Sequence, residues 1–328
     1  MAKLFSVKLL ASCAIIAGIV GTIGTANAQT KLKWAHIHET SQPFHKWSVW
    51  AADEIKKRTG GRYEIQVFPA SSLGKESDID QGMQLGTIDI AIQSVSFAVR
   101  TFPRIGVAYY PYTFRDAEHL IKYSKSDIFK ELAEGYRQKT GVQAVAVTYY
   151  GTRQTTSNKL FKSCDEMKGL KIRVPDSPAY LAMPRACGAN PTPIAFAEVY
   201  LALQNGTVDA EENPLPAIEA KKFYEVQKHL IMTGHIVEAL YTQVGPHVWN
   251  KLSDADKKVF TDVMQEAAVS ATADVVKREG ELFDEFKKKG INIVTVNKDE
   301  FRNRIVKAVD MASMGYEKRD WDRIQAIK

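Results

Sequence analysis

Three short stretches of this chain carry side chains that could do chemistry. The first is His36-Ile37-His38-Glu39, at the end of the apolar run Leu32–Ile37. On an extended segment, residues two apart point the same way, so both imidazoles would share one side. Such a pair could begin a metal site, as in a metal-dependent hydrolase, but that chemistry needs further His and Asp ligands at the ends of later strands. His119 and His229 fall in helix-like stretches, and His235 and His247 are not at comparable strand ends. The expectation is polar side chains lining a cleft at the C-terminal end of a strand. A periplasmic metal-dependent hydrolase using His36 and His38 is the alternative.

The second stretch is a pair of arginines in strand-like surroundings. Arg153 lies in Gly151–Asn158, and Arg173 lies in Leu170-Lys171-Ile172-Arg173-Val174-Pro175. An arginine in an apolar strand beside a chain-breaking proline is there either for a buried acid or for an anionic ligand. A guanidinium matches a carboxylate with two parallel hydrogen bonds. Each charge-assisted bond is worth about 1.5–3 kcal/mol. Two or three approach the roughly 8 kcal/mol of a micromolar ligand. The third stretch is Glu211-Glu212-Asn213-Pro214. No nucleophile or second acid is paired with these carboxylates at a defined spacing. Asn213, held extended by Pro214, offers both a donor and an acceptor for orienting a ligand's oxygens. There is no P-loop, G-x-G-x-x-G, G-x-S-x-G or C-x-x-C motif, and nothing calls for a cofactor.

The elements that must position these residues alternate. Leu32–Ile37, Tyr63–Phe68 and Ile88–Ile92 read as strands, separated by helices over Pro43–Thr59 and Asp78–Leu85. Val142–Tyr149 and Gly169–Val174 are further strands, followed by helices over Pro178–Ala186 and Glu198–Gln204 and a strand start at Thr207–Ala210. Pro184 is expected to shorten the first of these helices. Ser253–Lys289 reads as one long helix with an expected bend at Glu279-Gly280, followed by a strand at Ile291–Val296 and a helix over Lys298–Met314. The pattern predicts an α/β fold. Leu85–Asp89 is echoed by Gln204–Asp209, where a helix again stops at glycine and a strand opens on an acid, which fits two lobes of similar topology.

Composition is that of an ordinary globular chain, with 45% hydrophobic and 25% charged residues over 328 positions. Met1–Ala28 reads as a secretory signal with Lys3 and Lys8, an apolar core from Leu9 to Ile23 and the Ala26-Asn27-Ala28 cleavage site. Cleavage after Ala28 would leave a periplasmic chain with no membrane insertion of its own and a formal charge of +4. No basic block marks a nucleic-acid surface. Cys164 and Cys187 remain, and an oxidising compartment leaves a disulfide or two buried thiols equally open.

Taken together, the stretches Gly151–Asn158, Asp165–Pro175, Gly188–Gln204 and Gly206–Gln227, with Pro69–Gly74 and Leu85–Asp89, resemble the solute-binding proteins of tripartite ATP-independent periplasmic (TRAP) transporters, nearest the sialic-acid binders. The resemblance implies a two-lobe periplasmic binding fold with a cleft, segments exchanged between lobes and one long helix spanning both. Residues 29–150 with about 239–278 would form one lobe, and 151–238 with about 279–328 the other. It implies no enzyme. An organic acid would be captured and passed to the transporter's membrane subunits. The family's carboxylate clamp falls on Arg173, its second arginine on Arg153, its orienting asparagine on Asn213 and a cleft aromatic on Phe196. Ser94 and Phe97 stand where the sialic-acid binders carry Glu and Arg, and Asp176 replaces an Asn. With His36, His38, Glu39, Glu76 and Gln93 as further candidate contacts, these departures point to a smaller, hydroxyl-rich ligand such as a uronate or aldonate.

Overall fold

The structure, a computed structural model, describes residues 29–328, so the expected signal and its cleavage site lie outside the described residues. The strands are β1 (Thr30–Ala35), β2 (Tyr63–Phe68), β3 (Ile90–Gln93), β4 (Gln143–Ser157), β5 (Lys171–Val174), β6 (Asn190–Pro193), β7 (Ala210–Pro214), β8 (His229–Val244) and β9 (Asn292–Thr295). The helices are α1 (Pro43–Arg58), α2 (Glu76–Leu85), α3 (Ala117–Ser124), α4 (Asp127–Thr140), α5 (Pro178–Ala186), α6 (Val199–Gln204), α7 (Leu215–Ala220), α8 (Pro246–Trp249), α9 (Asp254–Lys288), α10 (Lys298–Ala308) and α11 (Lys318–Gln325).

The strands form one mixed sheet in the order β2-β1-β3-β8-β4-β7-β5-β6, with β9 on the free length of β8. Two strands hold it together. β4 and β8 run antiparallel from Gln143–Val244 to Ser157–His229. One end of this ribbon carries β3 on Tyr241–Val244, while the other carries β7 on Arg153–Ser157 and β9 on His229–Met232. Two α/β groups therefore hang from opposite ends of one ribbon.

Between them the ribbon is irregular, with register shifts at Tyr149/Gly151 and Arg153/Thr155. Gly151 has φ +129°, and a Cβ there would sit 2.4 Å from the Pro214 Cβ. Only glycine lets β7 approach the ribbon at this point. The long helix α9 is tied to the same place. Glu279 accepts hydrogen bonds from the Tyr149 hydroxyl at 2.5 Å and the Thr152 amide at 2.8 Å. The interruption expected at Glu279-Gly280 is absent, because the helix is unbroken from Asp254 to Lys288.

The short echo marks a repeated joint. Asp89 Oδ2 accepts from the Lys33 amide at 2.7 Å while its own amide donates to Lys33 O at 3.2 Å. Asp209 does the same with Lys171, at 3.3 and 2.8 Å. In both groups an acid opening the segment after a glycine stop ties it to the neighbouring parallel strand.

Other expectations change. His229 opens strand β8 rather than lying in a helix. Pro184 sits inside α5 without shortening it. The last predicted helix ends at Ala308 instead of Met314. Cys164 and Cys187 are joined in a disulfide that ties the approach to β5 to the end of α5.

Candidate functional site

The two groups face each other across a cleft at the C-terminal ends of β1, β3 and β5. A wide polar mouth of about 320 Å³ is lined by Lys75, Glu76 and Arg100 on one side and Arg173, Asp176 and Ile194 on the other. It narrows to an inner cavity of about 30 Å³, where His38, Glu76, Gln93 and Ser94 meet Arg173, Phe196 and Asn213. Glu76, Phe97, Arg173 and Pro175 line both spaces, so they form one continuous site.

Arg173 is placed by β5, paired with Thr192 on β6 and Glu211 on β7. Its Nε and Nη2 donate to the Ile194 carbonyl at 2.9 and 2.7 Å. That anchor fixes the plane of the guanidinium. Nη1 is buried and has no protein partner. Phe196 lies 5.9 Å beneath the guanidinium. Among the described residues no acid forms a salt bridge with it. Burial pushes its pKa down, with Glu76 across the cavity the largest opposing influence. A 1% exposed cation with one face unpartnered and a hollow in front of it favours an anion brought from outside.

Arg153 has a different environment. Its Nε and Nη2 grip the Glu212 carboxylate, the latter at 2.8 Å, and Nη2 also donates to the Glu212 carbonyl. Nη1 donates to Glu238 at 2.6 Å. Four of its five N–H groups are thus engaged within the protein. The network continues through His235 on Glu212 at 3.0 Å and Tyr180 donating to Glu238 at 2.6 Å. Arg153 borders the inner cavity, but as the charged core of its floor. The ion-pair reading of the sequence describes it better than the ligand fork does.

Asn213 donates its Nδ2 to Glu211 at 2.6 Å and lines the inner cavity. His38 is fully enclosed between the rings of Phe44 and Tyr150, and neither ring nitrogen has a partner. Burial holds its pKa well below the ordinary value, so it is neutral, with one donor and one acceptor. Gln93 offers a buried, unpartnered Oε1. Ser94 is held by Ser96 at 2.7 Å and by the Tyr180 hydroxyl at 3.0 Å, the second contact joining the two sides at the base of the cleft. Burial raises the Glu76 pKa, and Arg173 opposes that rise.

Two expected residues lie elsewhere, and a third lies only at the mouth. His36 lines neither space; it bonds His45 at 3.2 Å, and burial, with His45 adding to it, holds its pKa down at about 3. Glu39 is tied to Lys221 at 2.9 Å outside the cavity. Asp176 reaches only the mouth, where it pairs with Arg100 at 3.0 Å. Among the described residues no group of three or more His, Cys, Asp or Glu could hold a metal ion, so the His36/His38 pair does not extend to a metal centre. Sequence reasoning missed Tyr150, Tyr180 and Glu238. Glu238, a lone acid in the apolar run Ile236–Leu240, carried the same signal as Arg173; the tyrosines carried none.

Two α/β lobes joined by crossing strands, with a polar cleft and inside it a guanidinium that no acid pairs with, define a solute-binding protein. Residues 34–314 match the model of the DctP family, bacterial extracellular solute-binding proteins of family 7, and the chain belongs to that family. It is 36% identical over 278 residues to the sialic acid-binding periplasmic protein SiaP of Vibrio cholerae, covering 85% of this chain and 87% of that one. A TRAP periplasmic solute-binding protein from Polaromonas, solved bound to D-erythronate, superposes with a TM-score of 0.87 at 33% identity, covering 92% of this chain and 99% of that one. Another, from Roseobacter denitrificans with bound L-galactonate, gives 0.84 at 29% identity, covering 91% and 98%. The chain is thus a TRAP-type solute-binding protein of a periplasmic family whose members bind small organic acids and serve membrane subunits. None of these findings supports the hydrolase alternative.

Proposed function

We propose that this protein captures a sugar acid, an aldonate or uronate, in the cleft and hands it to the membrane subunits of a TRAP transporter without transforming it. The observation that carries the reading is Arg173, whose Nη1 is buried and unpartnered and which lines a cavity shared by both lobes. The ligand's carboxylate docks there. Its hydroxyls meet Asn213, His38, Gln93 and Glu76, a set rich in both donors and acceptors. Two relatives of this fold hold aldonates, D-erythronate and L-galactonate, which have this pattern of one carboxylate and several hydroxyls.

In this reading the lobes are residues 29–150 with about 239–278, and 151–238 with about 279–328. The boundary strands cross at the irregular Tyr149–Arg153 stretch of the ribbon. A ligand that touches Arg173 and Asn213 on one side and His38 and Glu76 on the other favours the closed arrangement through its differential contacts. A thermal-shift screen over aldonates, uronates, sialic acid, 2-oxo acids and dicarboxylates tests the assignment. An aldonate or uronate should raise Tm most. The largest shift from sialic acid or a dicarboxylate, with none from sugar acids, would overturn it.

A further inference from the structure

The long helix α9 carries apolar residues on two faces. One belongs to the core, with Phe260, Met264, Ala268, Val275 and Leu282 buried where the helix packs on β4, α1 and α7. The other faces solvent. Val269, Ala273, Val276, Gly280 and Phe283 follow one another at alternating spacings of four and three, which keeps them in a single stripe along a helix. All five are exposed, the three large ones by 71%, 47% and 40%. No α9 residue lines the mouth or the inner cavity of the cleft, so the stripe is no part of that site. Gly280 is its most informative member. Glycine weakens a helix interior, yet a Cβ at this position would meet nothing within 4 Å, so the chain's own packing does not require it. A second helix lying close against the stripe does.

We propose that this stripe is a self-association surface, through which two copies of the protein pair by laying their α9 helices antiparallel about a two-fold axis. The order of residues singles out a second copy as the occupant. About the midpoint between Ala273 and Val276, the stripe is complementary to its own reverse. Val269 of one copy comes opposite Gly280 of the other, and Val276 opposite Ala273. Each layer thus sets a large side chain on a small one, the arrangement that lets two helices approach closely.

The same register continues outward. Phe283 of one copy comes opposite Glu266 of the other, where Glu266 lines an open groove of about 710 Å³ together with Val269, Trp47 and Trp50. The two tryptophans, which touch edge to face on α1, widen the apolar surface beside the stripe. At each end of the stripe Asp262 meets Lys287, an acid against a base, twice by symmetry. Asp262 is exposed and already holds Lys258 of its own chain at 2.7 Å, and a carboxylate has room for a second donor. A parallel pairing would instead bring Asp262 against Asp262 and leave Gly280 against Gly280. Because the stripe lies outside the cleft, both ligand sites of the dimer stay open.

The test is sedimentation equilibrium at low salt, over protein concentrations from about 1 to 500 µM. The wild-type protein should pass from monomer to dimer within that range. Val276→Glu places a charge in the centre of the stripe and should weaken association at least about tenfold. Asp262→Lys and Lys287→Asp should each weaken it about threefold or more, and the two changes in one chain should restore it, because the pair is then merely exchanged. All these positions are exposed, so thermal melts of the dilute variants should stay near that of the wild-type protein. A wild-type protein that stays monomeric throughout overturns the inference. So does a dimer that Val276→Glu leaves intact. Failure of the double charge exchange to restore association overturns the antiparallel arrangement.

Discussion

Arg153 and Arg173 look alike in the sequence, each an arginine in a strand-like run, yet the fold treats them oppositely. The acids that claim Arg153 come from positions 59 and 85 residues away, so no local reading could assign them. Arg173 keeps an open face because its own anchor is a backbone carbonyl 21 residues on. The two should therefore respond differently to truncation. Arg153→Ala strands Glu212 and Glu238 in the interior and should cost about 3–5 kcal/mol of folding stability, measured by urea unfolding. Arg173→Ala removes a cation with no buried acid paired to it, and should leave the urea midpoint close to that of the wild-type protein. A second residue-scale prediction concerns acid. His36 has a folded pKa of about 3, below its ordinary 6.5, so the unfolded chain takes up its proton first. Stability should fall as pH drops from about 6.5 toward 3, and His36→Gln should flatten that dependence in urea unfolding measured at stepped pH. The H-x-H pair was legible as cleft-facing only for His38. His36, on the same face, is taken up by His45, which approaches from α1.

At the scale of elements, the parallel strand–helix units were readable because their apolar runs are short and end on Gly or Pro. β8 was not. His229–Val244 contains Gly234, His235 and Glu238, which break the apolar pattern because they serve the polar floor of the cleft. β4 was read only as far as Tyr149 for the same reason: beyond Gly151 its buried side chains are Arg153, Gln154, Thr155, Thr156 and Ser157. The join itself depends on Gly151. Gly151→Ala places a methyl 2.4 Å from Pro214 at φ +129°, and should lower Tm clearly and weaken ligand binding, since β7 carries Asn213. The disulfide, which the sequence left undecided, closes a loop across 23 positions. Replacing both cysteines with serine should cost about 3 kcal/mol, read from chemical unfolding.

For the whole molecule, the two-lobe plan was legible through the family-like motifs and the Leu85–Asp89 echo. The contacts between lobes were not, because they join distant residues. Two ion pairs flank the cleft, Arg100 with Asp176 and Glu39 with Lys221. The first is exposed on both sides and solvent-screened, so Arg100→Ala should leave ligand affinity nearly unchanged. The second is better sheltered, and the Lys221 ammonium also lies 5.5 Å over Phe196, next to the clamp. Lys221→Met should speed ligand release several-fold in stopped-flow measurements, with a smaller effect on capture.

The claim on which all of this depends is that Arg173 holds the ligand's carboxylate between the lobes. Calorimetric titration of the sugar acid giving the largest thermal shift, into wild-type protein, Arg173→Lys and Arg173→Ala, tests it most directly. The account predicts tight binding to the first, an affinity at least about tenfold lower for lysine, which lacks the planar fork, and no measurable binding for alanine. Unchanged affinity in Arg173→Ala would contradict it.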